Sequence, residues 1–490
     1  MFAAVLCLVS MVAFIYATWQ RLRTQPPGPW GLPVVGHLLQ MDQKAPHEPL
    51  ARWAAQYGSI FQVRMGELPI VAVSCPSMLG DLLARNEVTG RPDTPSRRLL
   101  LAGGRREGIT QADNELWGET RRLLTVQLEG LGGEGHSKLE RSIQRMADEF
   151  CGTFLANNVG RRVQLGDELA AAVANILWGM LTGERRDVED TEVQEAVAAA
   201  GHMLQRWHAA RLADAFPWAE QLALMLLPPD LPRELDQLAE RLLEPTLTKL
   251  RGVAGADPDK AAASFASAYL QAQTARPLLL SEQHLSHTVL DVLLTGGEPT
   301  AATLEWLVCF LCARQDVQER AQQEVDLAIG HKRLPTYADR ARMPFLEAVL
   351  METQRRADVL PLGEPHTAAR DLSVAGYRIP RGAQITPLLR AVHLDPQRFP
   401  EPLAFRPERF LDATGKLLPN EALLPFLVGR RQCPGQALAS ATLFIFLAAI
   451  LQRFTLRFPP GFQHDFGVLC DGARVLRPRP FKFVPELREE

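Results

Sequence analysis

The chain has 490 residues with a formal net charge of −3, and 47% of its residues are hydrophobic while 22% are charged. This composition is that of a globular protein and excludes a disordered one, and the length allows two or three ordinary domains or one large one. The charge gives no general attraction to nucleic acid, so we expect no nucleic-acid partner. The seven cysteines are odd in number and scattered, which argues against a disulfide framework and for a reducing compartment.

The amino terminus predicts a membrane anchor. Residues 1–20 carry no charge, are long enough to cross a bilayer, and are followed directly by Arg21 and Arg23. A cleaved signal peptide is the alternative, but it would have a charged start and a small-residue cleavage site. We therefore divide the chain into an anchor (1–20), a basic and proline-rich hinge (21–36) and a main domain (37–490) on the cytosolic side of the membrane.

Beyond the hinge the pattern is mainly helical. Two runs, Ile60–Arg64 and Pro69–Ser74, predict paired strands with Gly66-Glu67 at the turn. A 3.6-residue period predicts helices at Ser137–Asn157, Leu165–Thr182, Thr191–Ala213 and Pro232–Leu250. The segment Gly252–Asp259 is typical of a flexible connection. The sequence thus predicts a mainly α protein with small β-sheets.

A further long helical run extends from about Ser281 to Arg314. Gly296, Gly297 and Pro299 fall near its middle. Glycines and a proline inside a helix cost stability and usually mark a kink, so we expect a functional cause for them.

Two short motifs place polar groups on one helical face. Trp117 and Arg121 lie one turn apart, where an indole N–H and a guanidinium can both donate to an anion. Glu352 and Arg355 are spaced for an ion pair. Each pattern is weak by itself, because exposed helix pairs and arginines beside core tryptophans are common.

The strongest candidate site is the stretch 426–435, FLVGRRQCPG, which precedes a long apolar run. The helix that begins after Gly435 directs its positive end towards Cys433, which favours a thiolate. Gly429 and Gly435 let the backbone pass close to a flat group, and Phe426 can shield the sulfur. A lone cysteine at a Gly/Pro turn is more often structural, so the surrounding pattern decides its meaning.

That stretch resembles the haem loop of the cytochrome P-450 monooxygenases, Phe-x-x-Gly-x-Arg-x-Cys-x-Gly, and matches it at every fixed position. Other landmarks follow in the family's order from about residue 26 to the C-terminus, including Glu-x-x-Arg at 352–355 and FRPERF at 405–410. The resemblance implies the P-450 fold, a haem b cofactor with Cys433 as thiolate ligand of the iron, and oxidation of a substrate with dioxygen.

The resemblance also assigns roles to residues elsewhere in the chain. The residues that match propionate contacts of the haem are Trp117, Arg121, His366 and Arg431. The residues that match a buried network beneath the haem, which holds the cysteine loop, are Glu352, Arg355 and Arg409.

The central helix departs from the family pattern at one position. The family has an acid followed by threonine, which route protons to bound dioxygen. Here Thr300 is in place, but the acid position holds Pro299, and Glu298 precedes it. A shift of one residue turns a helical side chain by about 100°. Either the bent backbone lets Glu298 serve with Thr300 as a catalytic residue, or proton delivery is compromised.

The expected substrate is lipophilic. Gly296, Gly297, Val359 and Leu360, with the turn Val468–Ala473, are all apolar or small and match substrate-facing positions, although Val359 and Leu360 are equally typical of plain core. The run around the glycine pair is most similar to the steroid 21-hydroxylase branch, within a wider group that includes steroid 17-hydroxylases and drug-metabolising enzymes.

The family context also implies partners and location. NADPH electrons would arrive through NADPH-cytochrome reductase, with cytochrome b5 as a second donor, and the protein would lie in the endoplasmic reticulum membrane. The basic face at Arg121, Arg122 and Arg430 could dock the acidic reductase, although exposed arginines are usually only solvated.

Three alternatives remain open from the sequence. A xenobiotic- or fatty-acid-oxidising monooxygenase would share every motif. A peroxide-rearranging isomerase or dehydratase of the same fold is favoured by Pro299 and disfavoured by Thr300. A haem protein that only binds a lipophilic ligand belongs to a different functional class, and spectral shifts without turnover would identify it.

Overall fold

A computed structural model describes residues 24–42, 44–100, 106–128, 138–186, 231–254, 264–469 and 475–489, with positions 192, 199, 214–216 and 218. The predicted anchor at residues 1–20, almost all of the predicted helix Thr191–Ala213 and most of the turn Val468–Ala473 lie outside these residues.

The described α-helices are numbered in chain order. They are α1 (His47–Tyr57), α2 (Pro76–Leu83), α3 (Pro95–Leu100), α4 (Gly108–Gln111), α5 (Asn114–Leu128), α6 (Lys138–Glu149), α7 (Asp167–Thr182), α8 (Leu231–Ala254), α9 (Phe265–Ala275), α10 (Glu282–Ala313), α11 (Gln315–Ala328), α12 (Pro344–Ala357), α13 (Leu389–His393) and α14 (Gln436–Arg453).

The strands are short and form small sheets. They are β1 (Ile60–Met65), β2 (Leu68–Val73), β3 (His366–Thr367), β4 (Leu372–Val374), β5 (Tyr377–Ile379), β6 (Gln384–Pro387), β7 (Phe454–Arg457), β8 (Val468–Leu469), β9 (Arg477–Pro478) and β10 (Val484–Leu487). One sheet has the order β1-β2-β6-β3, in which only the β2–β6 pair is parallel. The other three sheets are the antiparallel pairs β4–β5, β7–β10 and β8–β9.

Most of the predicted elements that can be compared are confirmed. The predicted hairpin is β1–β2, with its turn at Gly66-Glu67. The helix predicted at Ser137–Asn157 is α6 extended by a π-helical turn at Phe150–Leu155. The prediction of a flexible connection from Gly252 is wrong for its first three residues, because α8 continues to Ala254.

The predicted central helix is confirmed as α10. It continues without a break through Gly296, Gly297 and Pro299, where the sequence predicted a kink. It begins where the Ser281 side chain accepts a hydrogen bond from the His284 N–H at 3.1 Å. Pro299 removes one backbone donor, yet the helix continues because the residues after it, Ala301 to Cys312, are all buried in the core.

The main core surrounds α7, α10 and α14. Trp306 and Phe310 of α10 stack with ring centroids 5.3 Å apart, and Phe310 stacks in turn on Phe405 at 4.5 Å. Within the described residues, α14 is the one helix long and apolar enough to cross a membrane, but 72% of it is buried inside the protein. It is therefore a core helix, and it fixes the position of the loop that precedes it.

Candidate haem-thiolate site

The loop 426–435 forms a closed turn at the start of α14. The Cys433 N–H donates to the carbonyl of Phe426 at 3.0 Å, and the Gln432 N–H donates to that of Gly429 at 3.2 Å. Gly429 has a φ of +88°, and a Cβ there would clash with the carbonyl of Leu83 at the end of α2. Gly429 is thus required by the approach to Leu83, a long-range contact that local sequence does not reveal.

Cys433 is accessible to solvent, yet the surrounding protein is dense enough that burial raises the pKa of its thiol. A hydrogen bond from the Gly435 backbone N–H and the charge of Arg121 act in the opposite direction and lower that pKa. A Cβ at Gly435 would meet no atom within 4 Å. The thiol is therefore accessible and lies beside the positively polarised N–H of Gly435.

Three of the predicted propionate contacts come together next to this loop. The guanidinium carbon of Arg431 lies 4.2 Å from the centre of the Trp117 ring, and that of Arg121 lies 5.8 Å from it. Arg121 also donates to the Gln432 carbonyl at 2.8 Å. Arg431 is held by the Thr89 carbonyl at 2.9 Å and by Asp113 at 2.8 Å, so much of its donor capacity is used within the protein.

His366, on β3, is fully buried. Its Nδ1 donates to the Val88 carbonyl at 2.8 Å, whereas its Nε2 has no hydrogen-bond partner within the described residues. Burial, and next the charge of Arg91, lower the pKa of His366 to about 3. An anionic oxygen at Nε2 would favour a second proton on the ring. The orphaned nitrogen therefore fits a carboxylate such as a haem propionate.

The predicted ion-pair network is assembled and inaccessible to solvent. Arg355 binds Glu352 through two hydrogen bonds of 2.8 Å, with both side chains 0% exposed. Arg409 donates to Glu352 at 3.1 Å, and the Arg406 N–H donates to it at 2.8 Å. This geometry is the bidentate form that makes arginine–carboxylate pairs specific.

Sequence reasoning assigned no role to His393, which joins this network to the cysteine loop. His393 donates through Nδ1 to Asp358 at 2.9 Å, and its Nε2 accepts from the Leu424 N–H at 3.0 Å. Its carbonyl accepts from Arg355 at 2.8 Å. Because Leu424 is two residues from Phe426, His393 ties the start of the loop to the ion pair. Its partners are distant in sequence, so only the fold reveals them.

Thr300 and Glu298 lie on different sides of α10. The Thr300 hydroxyl donates to the Gly296 carbonyl at 3.2 Å. The Glu298 carboxylate lies 3.8 Å from Arg477 on β9, which also pairs with Glu305. Two residues apart on a helix, the two side chains diverge by about 200°. The geometry favours the alternative in which Glu298 does not stand in for the missing acid.

The candidate substrate residues are partly core residues. Val359 is 8% exposed and accepts from the Leu476 N–H at 2.8 Å, and Leu360 packs against the main core. A Cβ at Gly296 or Gly297 would lie 3.6 Å from Leu177 of α7, an ordinary contact distance. Neither glycine is therefore demanded by a clash within the protein.

These residues fit a haem with a thiolate ligand: they include an accessible thiol, cationic side chains beside it and a buried histidine nitrogen without a hydrogen-bond partner. The site defines a haem-thiolate protein. Comparison with known proteins gives the same result, because residues 26–482 match the family model for Cytochrome P450.

Relatives cover nearly the whole chain. Cytochrome P450 18a1 of Drosophila melanogaster is 30% identical over 94% of this chain and 86% of its own length. Cytochrome P450 2J5 of Mus musculus is 31% identical over 89% of this chain and 86% of its own. Cytochrome P450 2D3 of Rattus norvegicus is 31% identical over 93% and 92%.

The chain belongs to the cytochrome P450 family and is a haem-thiolate monooxygenase, an oxidoreductase. The family implies a haem iron with a thiolate ligand, lipophilic substrates and a redox partner. The names of these relatives do not single out the steroid 21-hydroxylase branch.

Proposed function

We propose that the protein hydroxylates a lipophilic substrate, a steroid in the manner of 21-hydroxylases, with dioxygen and with NADPH electrons delivered by a reductase. The observation that carries the monooxygenase part is the accessible Cys433 thiol, which lies beside the Gly435 N–H and the charge of Arg121. The steroid part is supported by the sequence around Gly296-Gly297, and it is the finer of the two claims.

The haem, when bound, supplies the oxidising chemistry, and this chain supplies its environment. Cys433 would ligate the iron, and the donors that would bind the propionates are Trp117, Arg121, His366 and Arg431. Phe426, Gly429 and Gly435 shape the loop. Glu352, Arg355 and Arg409 hold that loop against α12 by a buried network, so the sulfur keeps its position while electrons and protons arrive.

Thr300 is proposed to hold and pass protons through its hydroxyl, which lies one turn from Gly296. A route through Glu298 would first require its contact with Arg477 to open. Gly296 and Gly297 leave room on α10, and with Val359 and Leu360 they form the apolar wall of the proposed substrate site.

The remaining proposals concern the setting of the enzyme. Residues 1–20 anchor it in the endoplasmic reticulum membrane, residues 21–36 form the hinge, and residues 37–490 form the cytosolic catalytic domain. NADPH-cytochrome reductase, and cytochrome b5 as a second donor, dock on the basic face that includes Arg121 and Arg430. Arg430 is exposed there, whereas Arg122 is paired with Glu119 at 2.7 Å.

The test uses the purified full-length protein with reductase, NADPH and a steroid panel that includes progesterone. Hydroxylated product formed in step with NADPH loss is the expected result, and the position hydroxylated tests the 21-hydroxylase assignment. Turnover of fatty acids or xenobiotics without steroid turnover would support the monooxygenase activity and exclude a steroid as the substrate.

A second candidate, rearrangement of a lipid hydroperoxide, is favoured by Pro299 at the position of the acid. Such a reaction needs neither dioxygen nor NADPH. Conversion of a lipid hydroperoxide without NADPH, together with no product from any member of the steroid panel, would select it.

A further inference from the structure

A buried arginine near the proposed substrate site has a donor without an acceptor. Arg97, on α3, is 8% exposed. Its Nη2 donates to Oε1 of Glu364 at 2.8 Å, whereas its Nη1 is buried and has no hydrogen-bond partner in the part of the chain that the structure describes. Buried polar groups are normally satisfied, so the unpartnered Nη1 indicates an acceptor that the protein does not itself provide.

Glu364 locates this donor. It lies in the segment between α12 and β3, four residues after Leu360 and two before His366. The backbone of that segment is fixed by Arg91, which donates to the Pro365 carbonyl at 2.9 Å. A proposed substrate contact precedes Glu364 and a proposed propionate contact follows it. Arg97 is therefore bound to the segment that joins a proposed substrate contact to a proposed propionate contact.

The helix that carries Arg97 is held independently of the Nη1 atom. The Ser96 N–H and hydroxyl donate to the two carboxylate oxygens of Asp214, at 2.9 Å and 2.5 Å. These bonds, with the pair between Arg97 and Glu364, are sufficient to place the guanidinium. The Nη1 atom takes no part in these contacts, so a ligand bound to it would leave the contacts that position α3 unchanged.

We propose that Arg97 is a polar anchor for the substrate, donating from Nη1 to an uncharged oxygen, a ketone or similar carbonyl, at one end of a lipophilic molecule. Glu364 selects this class of ligand. It balances the charge of Arg97, so a carboxylate ligand would place a second negative charge beside Glu364, whereas a neutral carbonyl requires only a donor. The inference rests on the proposed function for the site and narrows its substrate class.

The first experiment measures ligand binding by the change in haem absorbance of the full-length holoprotein, without turnover. The probes are progesterone and its two analogues that each lack one carbonyl oxygen. The wild type is expected to bind one analogue at least about tenfold more weakly than progesterone, and Arg97→Met is expected to abolish that difference. Arg378→Met, which removes an exposed arginine paired with Asp371, is the matched control and should retain it.

The second experiment reverses the preference for charge. In Glu364→Gln the guanidinium is no longer balanced, so the affinity for lauric acid relative to progesterone should rise at least about fivefold. That gain should disappear when Arg97→Met is added. If the salt bridge between Arg97 and Glu364 were purely structural, its loss would lower the affinity for all ligands together. The affinity for lauric acid relative to progesterone would then stay unchanged.

The outcomes separate this inference from the proposed function. Equal binding of progesterone and both analogues by the wild type, absence of a spectral change with all three, or discrimination that survives Arg97→Met would overturn the anchor. If Arg97→Met does not retain haem, Arg97→Gln serves in its place. If the protein discriminates between progesterone and its analogues in binding but forms no hydroxylated product, the role of Arg97 as an anchor is supported and the proposed steroid hydroxylase activity is excluded.

Discussion

The Cα of Gly429 faces the carbonyl oxygen of Leu83 with no room for a side chain between them. Gly429 also has a φ of +88°, a conformation that strains any other residue. We expect Gly429→Ala to lower the free energy of unfolding by about 2–5 kcal/mol, from backbone strain and overpacking together. Urea denaturation of the apoprotein, followed by tryptophan fluorescence, measures this loss.

Gly435→Ala is the matched control in the same loop. Gly435 has a φ of −88°, which alanine adopts freely, and its Cβ would meet no atom of the protein within 4 Å. The apoprotein should therefore keep its stability, while haem content falls because the new methyl group enters the proposed cofactor space. Equal losses of apoprotein stability in both variants would contradict the distinction between the two glycines.

The buried pair of Glu352 and Arg355 gives a second prediction. Both side chains are 0% exposed, so Arg355→Met removes the bidentate partner of a carboxylate in the core, and among the described residues Arg409 remains as its ion-pair partner. We expect a loss of about 3–5 kcal/mol in the free energy of unfolding, and partial recovery in the double variant with Glu352→Leu. Arg378→Met, at a surface pair, should have little effect. A double variant less stable than Arg355→Met alone would refute the charge-burial explanation.

Local pattern predicted the elements of the fold well and the partners of individual residues poorly. The alternation of apolar residues predicted both strands of the first hairpin, and the 3.6-residue period of apolar residues predicted the helices. Both signals can be read from a few neighbouring residues. The haem loop was recognisable for the same reason. The purpose of Gly429 was not, because its constraint comes from Leu83, which is more than 300 residues away in the sequence.

The same limit applies to charged side chains. The residues next to Glu364 in the sequence do not explain why an acid is present there, because its partner Arg97 is 267 residues away. Spacing on α10 left open whether Glu298 acts with Thr300, and only the fold places Arg477 beside the Glu298 carboxylate. The sequence pattern thus predicts on which face of a helix or strand a residue lies, whereas tertiary packing determines which side chains that face contacts.

His284 gives a prediction for pH. It is 2% exposed on α10, and burial lowers its pKa to about 4. Between about pH 6.5 and 4, the His284 side chain therefore binds a proton in the unfolded chain but not in the folded one. The free energy of unfolding is thus unaffected by His284 above about pH 6.5 and decreases as the pH falls through this window. The contribution is roughly 3 kcal/mol. His284→Gln should make the decline of the urea midpoint between these pH values shallower, and an unchanged slope would exclude His284 as its source.

Arg121 should influence the reactivity of Cys433 before haem is bound. Its charge lowers the pKa of that thiol against the effect of burial. Arg121→Met should therefore raise the pH at which the apoprotein thiol is alkylated by iodoacetamide, and slow the reaction at neutral pH by about two- to tenfold. Mass spectrometry of the Cys433 peptide gives the rate, with the Cys75 peptide of the same sample as control. Equal slowing at both cysteines would indicate a general change in the protein.

Proton delivery at α10 provides the final prediction. The Thr300 hydroxyl is one turn from Gly296, whereas Glu298 is drawn towards Arg477 and Pro299 carries no acid. In the full-length protein with reductase and a turned-over substrate, Thr300→Ala should lower the product formed per NADPH by about tenfold and raise hydrogen peroxide, because a positioned proton donor is lost.

Two further variants decide whether an acid takes part. Pro299→Glu restores a carboxylate at the position next to Thr300 and a backbone donor for the Thr295 carbonyl, so product per NADPH should increase. Glu298→Gln should leave that ratio almost unchanged, because its carboxylate lies against Arg477 on another side of the helix. A loss in Glu298→Gln as large as that in Thr300→Ala would mean that the ion pair opens during turnover and that protons pass through Glu298 after all.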